Sequence, residues 1–502
     1  MARKLLCICL TALLLSGICT ALAFAEQPVV KLRWAMTPQT APIDQKKVME
    51  ALNKISREKI GVEVEIYFFD SATIQNAMQA GETYDMYFTS SWFNNFNQAV
   101  SNGFFADITD KVKEWTPKLY ASMPENIWEL AKATDGHLYA IPIAKDYAGM
   151  NFIVYDAGFA REHGIKVPER ISSIDEMTDF LVEQKKSMKE GEYPVMLGGA
   201  AGEIESGFDY VDSTAMIGCE FGDTKIKSAF ECDKIMDRFR TLHKWMKMGL
   251  INPDAETMTA ESIDDKHPHI KFVRAWPGFD YSPTWGYECG MTCFDGPVLN
   301  SDGVKGSMTA FSVTLEDDEA KFRKAMEYQE LVNTDREYRD MLAYGIPGEH
   351  FNYVNVKSED GTEGKAVIQT ELGKTNYITW HFAQGSLFNR SIQADEKSLS
   401  GEYPPPDLKQ WDRYNEAIRN AKEKSAIGSF ILNTEKFANE LAEIQAIRDE
   451  YWRRIATGSV DPDVVVPQML EKMNAAGLQE IIAEAQRQLD EYLAGENAPK
   501  AA

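Results

Sequence analysis

Val29-Val30-Lys31-Leu32-Arg33-Trp34 and Val62-Glu63-Val64-Glu65-Ile66-Tyr67-Phe68, with Val48, Leu52 and Ile55 at helical spacing between them, decide the fold class of this chain. The second run alternates apolar and charged residues, the period of a strand with one face buried. The intervening helix opens at Pro42, whose fixed φ suits a first turn, and stops at Gly61. A short helix around Ile74, Ala77 and Met78 then ends at Gly81, and Tyr84 to Thr89 forms a third strand. Strands joined by helices lie parallel with right-handed crossovers, so residues 29–89 read as a doubly wound α/β lobe. Ligands of such sheets sit beyond the carboxyl ends of strands. That places Trp34 with Thr37, and Ser90, Ser91 and Trp92, beside a potential crevice.

Upstream lies an export signal. Arg3 and Lys4 precede an apolar core from Leu5 to about Leu15, and Ala23-Phe24-Ala25 offers the small-x-small pattern of a cleavage site. The core is shorter than the roughly 20 residues of a membrane helix. Cleavage after Ala25 is the expected processing, with residues 1–25 as signal peptide. Lipidation at Cys19 is the alternative, although Ile18 stands where a lipoprotein signal takes Gly or Ala. Loss of Arg3 and Lys4 makes the formal net charge of −24 more negative still, which disfavours nucleic acid and anionic lipid as partners. Four cysteines follow the signal: Cys219, Cys232, Cys289 and Cys293. Outside the cytoplasm an even number permits disulfides in any of three connectivities, and proximity in sequence favours Cys219–Cys232 and Cys289–Cys293.

Downstream the same grammar resumes. Met150 to Tyr155 reads as a strand, and Ser173-x-x-Glu176 as a capping box for a helix carrying Met177, Phe180 and Leu181. Ile235, Phe239, Leu242 and Met246 form an amphipathic face closed by Gly249, and a helix from about Asp317 to Tyr344 follows a strand-like Met308 to Val313. Two long helices mark the last third, one through Leu441, Ile444, Ile447, Tyr451 and Ile455, the other through Leu478, Ile482, Ala485, Leu489 and Leu493. The stretch 495–502 reads as a flexible tail. No repeat or long linker appears, so the lobes are expected to interweave.

Several phrases then become recognisable. Gly103-Phe104-Phe105-Ala106-Asp107-Ile108-Thr109, Asp135-Gly136-His137-Leu138-Tyr139-Ala140-Ile141-Pro142, Met150-Asn151-Phe152-Ile153-Val154-Tyr155-Asp156 and Gly249-Leu250-Ile251-Asn252-Pro253-Asp254 resemble, in order, the carbohydrate branch of extracellular solute-binding proteins of ABC importers. Tyr344-Gly345-Ile346-Pro347-Gly348-Glu349-His350-Phe351 and Gly458-Ser459-Val460-Asp461-Pro462-Asp463 are similar to a lipoprotein subgroup with a C-terminal extension; Pro347 departs from the Glu common there. The resemblance implies a two-lobed, type 2 periplasmic-binding-protein-like α/β fold with a hinge and a helical C-terminal extension. By the family pattern lobe one holds 26–144 and 290–355, and lobe two holds 148–289 and 360–494. The chain is expected to cross between lobes near Ala144–Met150 and again near Cys289. The implied partners are a small-molecule solute and an ABC permease in the membrane, with the protein a monomer, periplasmic or extracellular.

The candidate site follows from aromatic density. Trp276, Tyr281, Trp285 and Tyr287 fall among Pro277, Gly278 and Pro283, and sugar C–H faces stack on such rings while hydroxyls seek planar polar partners. A core cluster under a loop is the competing reading. Trp92, Trp380, Trp34 and Asp146 with Tyr147 complete the candidates. Asp264-Asp265-x-His267-x-His269 reads as a solvated loop around Pro268 rather than a metal site, and Asn389-Arg390-Ser391 as a sequon without consequence outside a eukaryotic secretory route. No metal or cofactor is expected. The expected function is capture of a polar solute, a sugar or oligosaccharide, by hinge closure without catalysis. A secreted carbohydrate-active enzyme, or a sensor-partner binding protein without transport, are the rivals. Against the enzyme stands the lack of Gly-x-Ser-x-Gly, His-Glu-x-x-His or a phosphate-cradling loop.

Overall fold

The computed structural model describes residues 29–37, 39–145, 147–259 and 270–495. The signal with Cys19, Asp146, the Asp264–His269 loop and the tail beyond Gly495 lie outside them. A five-stranded sheet runs Val62–Phe68, Val30–Met36, Met86–Thr89, Met308–Phe311, Ala140–Pro142. The first three strands are parallel, with Val30 opposite Val62 and Trp34 opposite both Ile66 and Met86. Val62–Phe68 is an edge strand, which is why its Glu63 and Glu65 reach solvent while Val62 and Val64 are buried. Met308–Phe311 inserts antiparallel between Met86–Thr89 and Ala140–Pro142, returning from the other half of the chain.

A second sheet runs Glu423–Lys424, Cys289–Leu299, Ala148–Asp156, Ile270–Arg274, its long central pair antiparallel. The chain passes from the first sheet to the second after Pro142 and returns through 300–307. The return lies after Leu299 rather than near Cys289, because Cys289 opens an unbroken eleven-residue strand. Two main apolar cores follow. The first gathers residues around Leu32, Trp34, Phe88, Ile141 and Phe311; the second gathers Phe180, Ile235, Phe239 and Leu242 with Ile444, Ile455, Met469 and Leu489. Residues 371–421 do not follow the boundary read from sequence: Tyr377, Ala383, Tyr414 and Ile418 pack in the first core. That stretch has no strand of its own to dictate a side, and tertiary packing alone assigns it.

The motifs acquire physical reasons. Ser173 and Glu176 do form a reciprocal capping box, on a 3-10 turn leading into Thr178–Ser187. The helix read over 317–344 is two, Glu319–Thr334 and Arg336–Tyr344, broken where the Asp335 carboxylate caps the second. In Gly345-Ile346-Pro347-Gly348-Glu349-His350 the Ile346 N–H donates to His350 Nδ1 at 3.0 Å, so the proton sits on Nε2, which donates to Asp44 at 3.1 Å. Any Cβ at Gly345, whose φ is +96°, meets the His350 ring at 2.7 Å. Gly458 turns left-handed because a Cβ there meets Leu242 O at 2.3 Å; Asp461 and Pro462 then start the helix Pro462–Ala475.

All four cysteines are buried thiols, which corrects the expected disulfides. Cys289 and Cys293 lie on one strand, four residues apart, which puts them about 13 Å apart at roughly 3.3 Å per residue, beyond the roughly 7 Å a bridge can span. Their sulfurs are engaged otherwise: Cys293 donates to Asp295 O at 3.2 Å, and Cys289 to Tyr287 O at 3.4 Å. Cys219 ends the strand Ile217–Cys219 and Cys232 caps the helix Asp233–Lys247.

Candidate functional site

The loop leaving Met86–Thr89 is short and tightly bonded. Ser90 Oγ accepts from Phe93 N at 2.9 Å, Thr89 Oγ1 donates to Asn94 O at 2.6 Å, and Asn94 takes a left-handed φ of +43°. Non-glycine residues hold such a conformation only where surroundings impose it, as at functional sites. The loop turns Phe93 into the core and leaves Trp92 52% exposed, its indole N–H donating to Gly306 O at 2.9 Å. Gly306 lies on the return crossing, so one tryptophan ties the strand-end loop to the passage between sheets.

Trp276 follows the strand Ile270–Arg274. Its N–H donates to Gln410 Oε1 at 2.8 Å, and its ring packs on Phe279 and Trp411 with centroids at 4.8 and 5.2 Å. Trp380 precedes the turn His381–Gln384, and Gln39 Oε1 accepts its backbone N–H at 2.7 Å. Trp92, Trp276 and Trp380 border one cavity of about 610 Å³, with Lys145, Thr379 and Leu387 completing the wall. A second cavity, about 640 Å³, shares Trp276, Phe279 and Arg390 with the first. A third, about 320 Å³, separates the two cores, with Ser91, Asn97, Asp209, Asn300, Asp302 and Lys305 in its wall. All three have the size of small-molecule sites.

Electrostatics differ among them. Burial pushes Asp209 up to about 6, opposed by hydrogen bonds from Ser425 and Asn300. Burial pushes Lys305 down to about 7, opposed by Asp302 and Asp135. Asp280, in the second cavity, is raised by burial against the Ser282 hydrogen bonds that favour its charge. Among the described residues no group of three His, Cys, Asp or Glu side chains could hold a metal ion.

Several candidates lie elsewhere. Trp34 is fully buried, edge-on to Tyr328 at 6.1 Å, because its strand runs on to Met36 and leaves it in mid-sheet. Tyr147 is also buried, with its hydroxyl on Met123 Sδ at 2.7 Å and its ring edge-on to Phe388. Trp285 is 9% exposed and packed between Tyr281 and Tyr287, which are themselves half-buried against the first core. Of the aromatic cluster, Trp276 alone borders the cavity with Trp92 and Trp380. Sequence reading missed Lys145, Thr379, Arg390, Asp209 and Lys305. Arg390 stood in the sequon and drew attention only to Asn389; the others carry no local signal.

The arrangement offers ring faces for apolar sugar surfaces and flanking polar side chains for hydroxyls. A family described as "Domain of unknown function (DUF3502)" matches residues 426–494. A carbohydrate ABC transporter substrate-binding protein of Streptococcus pneumoniae serotype 4 is 23% identical over 483 residues, covering 93% of this chain and 91% of that one. The solved N-glycan transport solute binding protein NgtS of Streptococcus pneumoniae superposes with a TM-score of 0.77 at 20% identity, covering 94% and 100% of the two chains. An HMO-binding, ABC-transporter-associated solute binding protein from Bifidobacterium longum infantis gives 0.58 at 16% identity, covering 93% and 99%. With two sheets joined by paired crossings, the chain has the fold of these solute-binding proteins and is similar to a carbohydrate ABC transporter substrate-binding protein along nearly its whole length.

Proposed function

We propose that this chain is the extracytoplasmic receptor of a carbohydrate importer, taking a neutral oligosaccharide between its lobes and performing no chemistry on it. The observation that carries this reading is the convergence of Trp92, Trp276 and Trp380, from three distant segments, on one cavity beside the crossings. Sequence-distant aromatics brought to one solvent-facing cavity serve no packing purpose that a core would not serve better. Export fits the leader at residues 1–25, and no helix of the described residues is long and apolar enough to cross a membrane.

Closure is the transport signal in this reading. NgtS in complex with Man1GlcNAc and with Man5GlcNAc matches this chain at TM-scores of 0.67 and 0.62, below the 0.77 of the other NgtS structure. We read that spread as a difference in lobe arrangement, with this chain nearer the one at 0.77. Glycan binding shifts the population toward the closed arrangement, which a permease recognises. The domain division used here puts the first sheet in one lobe and the second sheet with the C-terminal helices in the other. The protein works as a monomer.

Calorimetric titration of the purified mature chain with a panel of neutral oligosaccharides tests the reading, with chromatography of the same samples for turnover. Saturable binding with intact glycan is expected. No binding across the panel, or cleavage of any member, overturns it.

A further inference from the structure

Two of the cavities adjoin at a tryptophan. The cavity beside Trp92 and Trp380 and the larger one beyond Trp276 share Trp276, Phe279 and Arg390 as walls. The outer one is otherwise built from the loop at Gly278–Pro283, the hairpin turn at Ser358–Asp360 and the stretch 390–413. All of this is tied together. Trp276 and Trp411 pack in one small cluster with Leu387 and Ile392, and Ser358 Oγ donates to Pro406 O at 2.9 Å. Gly278 sits so close that a Cβ meets the Asp407 carboxylate at 2.1 Å, and Asp407 pairs with Arg413. None of its walls belongs to the second core.

We propose that the outer cavity is a second saccharide compartment, which holds the distal units of a branched or extended glycan while the inner units stack against Trp92 and Trp380. This rests on the carbohydrate reading above and specifies it: the ligand is an oligosaccharide long enough to pass Trp276. Both compartments fall within the roughly 300–1,000 Å³ range of ligand sites, and Trp276 lines both. The charge of the outer wall sets its selectivity. Asp280, Glu359, Asp360, Asp395 and Asp407 stand against Arg390 and Arg413. A carboxylate-rich wall accepts hydroxyls as hydrogen-bond donors and repels a uronic or sialic acid at the same place.

The test uses Man1GlcNAc and Man5GlcNAc as probes and reads the ratio of their affinities for the mature chain, wild type and Glu359→Trp. Glu359 is exposed on the hairpin turn, so a bulky ring there fills the cavity mouth without disturbing a core. Wild type is expected to favour Man5GlcNAc at least tenfold, and the variant to lose that preference. A second variant, Glu359→Lys, is expected to raise affinity for a trigalacturonic acid probe relative to Man5GlcNAc by several-fold. Equal preference in wild type and Glu359→Trp overturns the compartment while leaving the carbohydrate reading intact. Binding of neither neutral glycan by wild type overturns both.

Discussion

At the scale of single residues, four tryptophans separate two physical roles. Trp34 and Trp285 are packed among aromatics in the first core, whereas Trp92 is half exposed and Trp276 lines two cavities. Trp34→Ala is expected to cost about 3–5 kcal/mol of stability, with the affinity of the folded fraction unchanged. Trp92→Ala removes a half-exposed ring that touches the core at Phe88 and Phe93, so affinity is expected to fall by about 2 kcal/mol or more, as for anchor residues generally, with a smaller melting loss than Trp34→Ala. Denaturant melts and calorimetry on both variants check the pair; a reversal of the two outcomes rejects the cavity assignment. Strand-end position marked Trp34 and Trp92 equally in the sequence. Only the continuation of one strand to Met36, and the Gly306 carbonyl waiting for the other's indole N–H, distinguish them.

At the scale of elements, loops and strand ends carry the testable constraints. His350 holds the turn at Gly345–Phe351 from inside, accepting from Ile346 and donating to Asp44. His350→Ala leaves a buried N–H without an acceptor and a hole beneath Gly345, for an expected loss of about 2 kcal/mol or more in denaturant unfolding. The cysteines, spread over strand and helix starts, stay reduced in this architecture. Burial pushes the Cys219 and Cys289 thiols up to about 12, so native alkylation is expected to be slow. Unreduced, denatured mature protein is expected to take four labels by intact mass; two labels or none refutes the free-thiol assignment.

At the scale of the whole molecule, the space between the cores decides pH behaviour and motion. Asp209 has a folded-state value raised to about 6 from 3.8. The folded protein therefore holds its proton more tightly than the unfolded chain, and this contribution is fully present below pH 4 and is lost as pH rises through about 6. The loss is on the order of 3 kcal/mol, at 1.36 kcal/mol per unit. Asp209→Asn is expected to flatten stability against pH between about 4 and 6, as urea titrations at stepped pH reveal; an unchanged slope assigns the effect elsewhere. Lys305 works in the opposite sense: lowered to about 7, its burial disfavours the folded state below that value and stability from this group grows as pH rises above it. Glycan saturation is expected to shrink the radius of gyration in small-angle scattering, because the chain passes between the two sheets at 143–145 and 300–307, where a hinge can act. An unchanged radius at saturation argues against closure.

Local periodicity determined the parallel start of the first sheet, the capping boxes and the long C-terminal helices, since side-chain spacing reports directly which face of an element is buried. Ordered phrases such as Gly458-Ser459-Val460-Asp461-Pro462-Asp463 carried the resemblance to solute-binding proteins, and the Gly458 turn and Asp461 cap answer to close backbone approach and helix initiation. Tertiary structure alone decided which aromatic faces solvent, where residues 371–421 pack, and that the cysteine pairs stay apart. Those outcomes depend on contacts between residues such as Trp92 and Gly306, or Trp276 and Gln410, that lie more than a hundred positions apart. Spacing along a chain encodes direction within an element; it does not encode which distant element arrives to cover it.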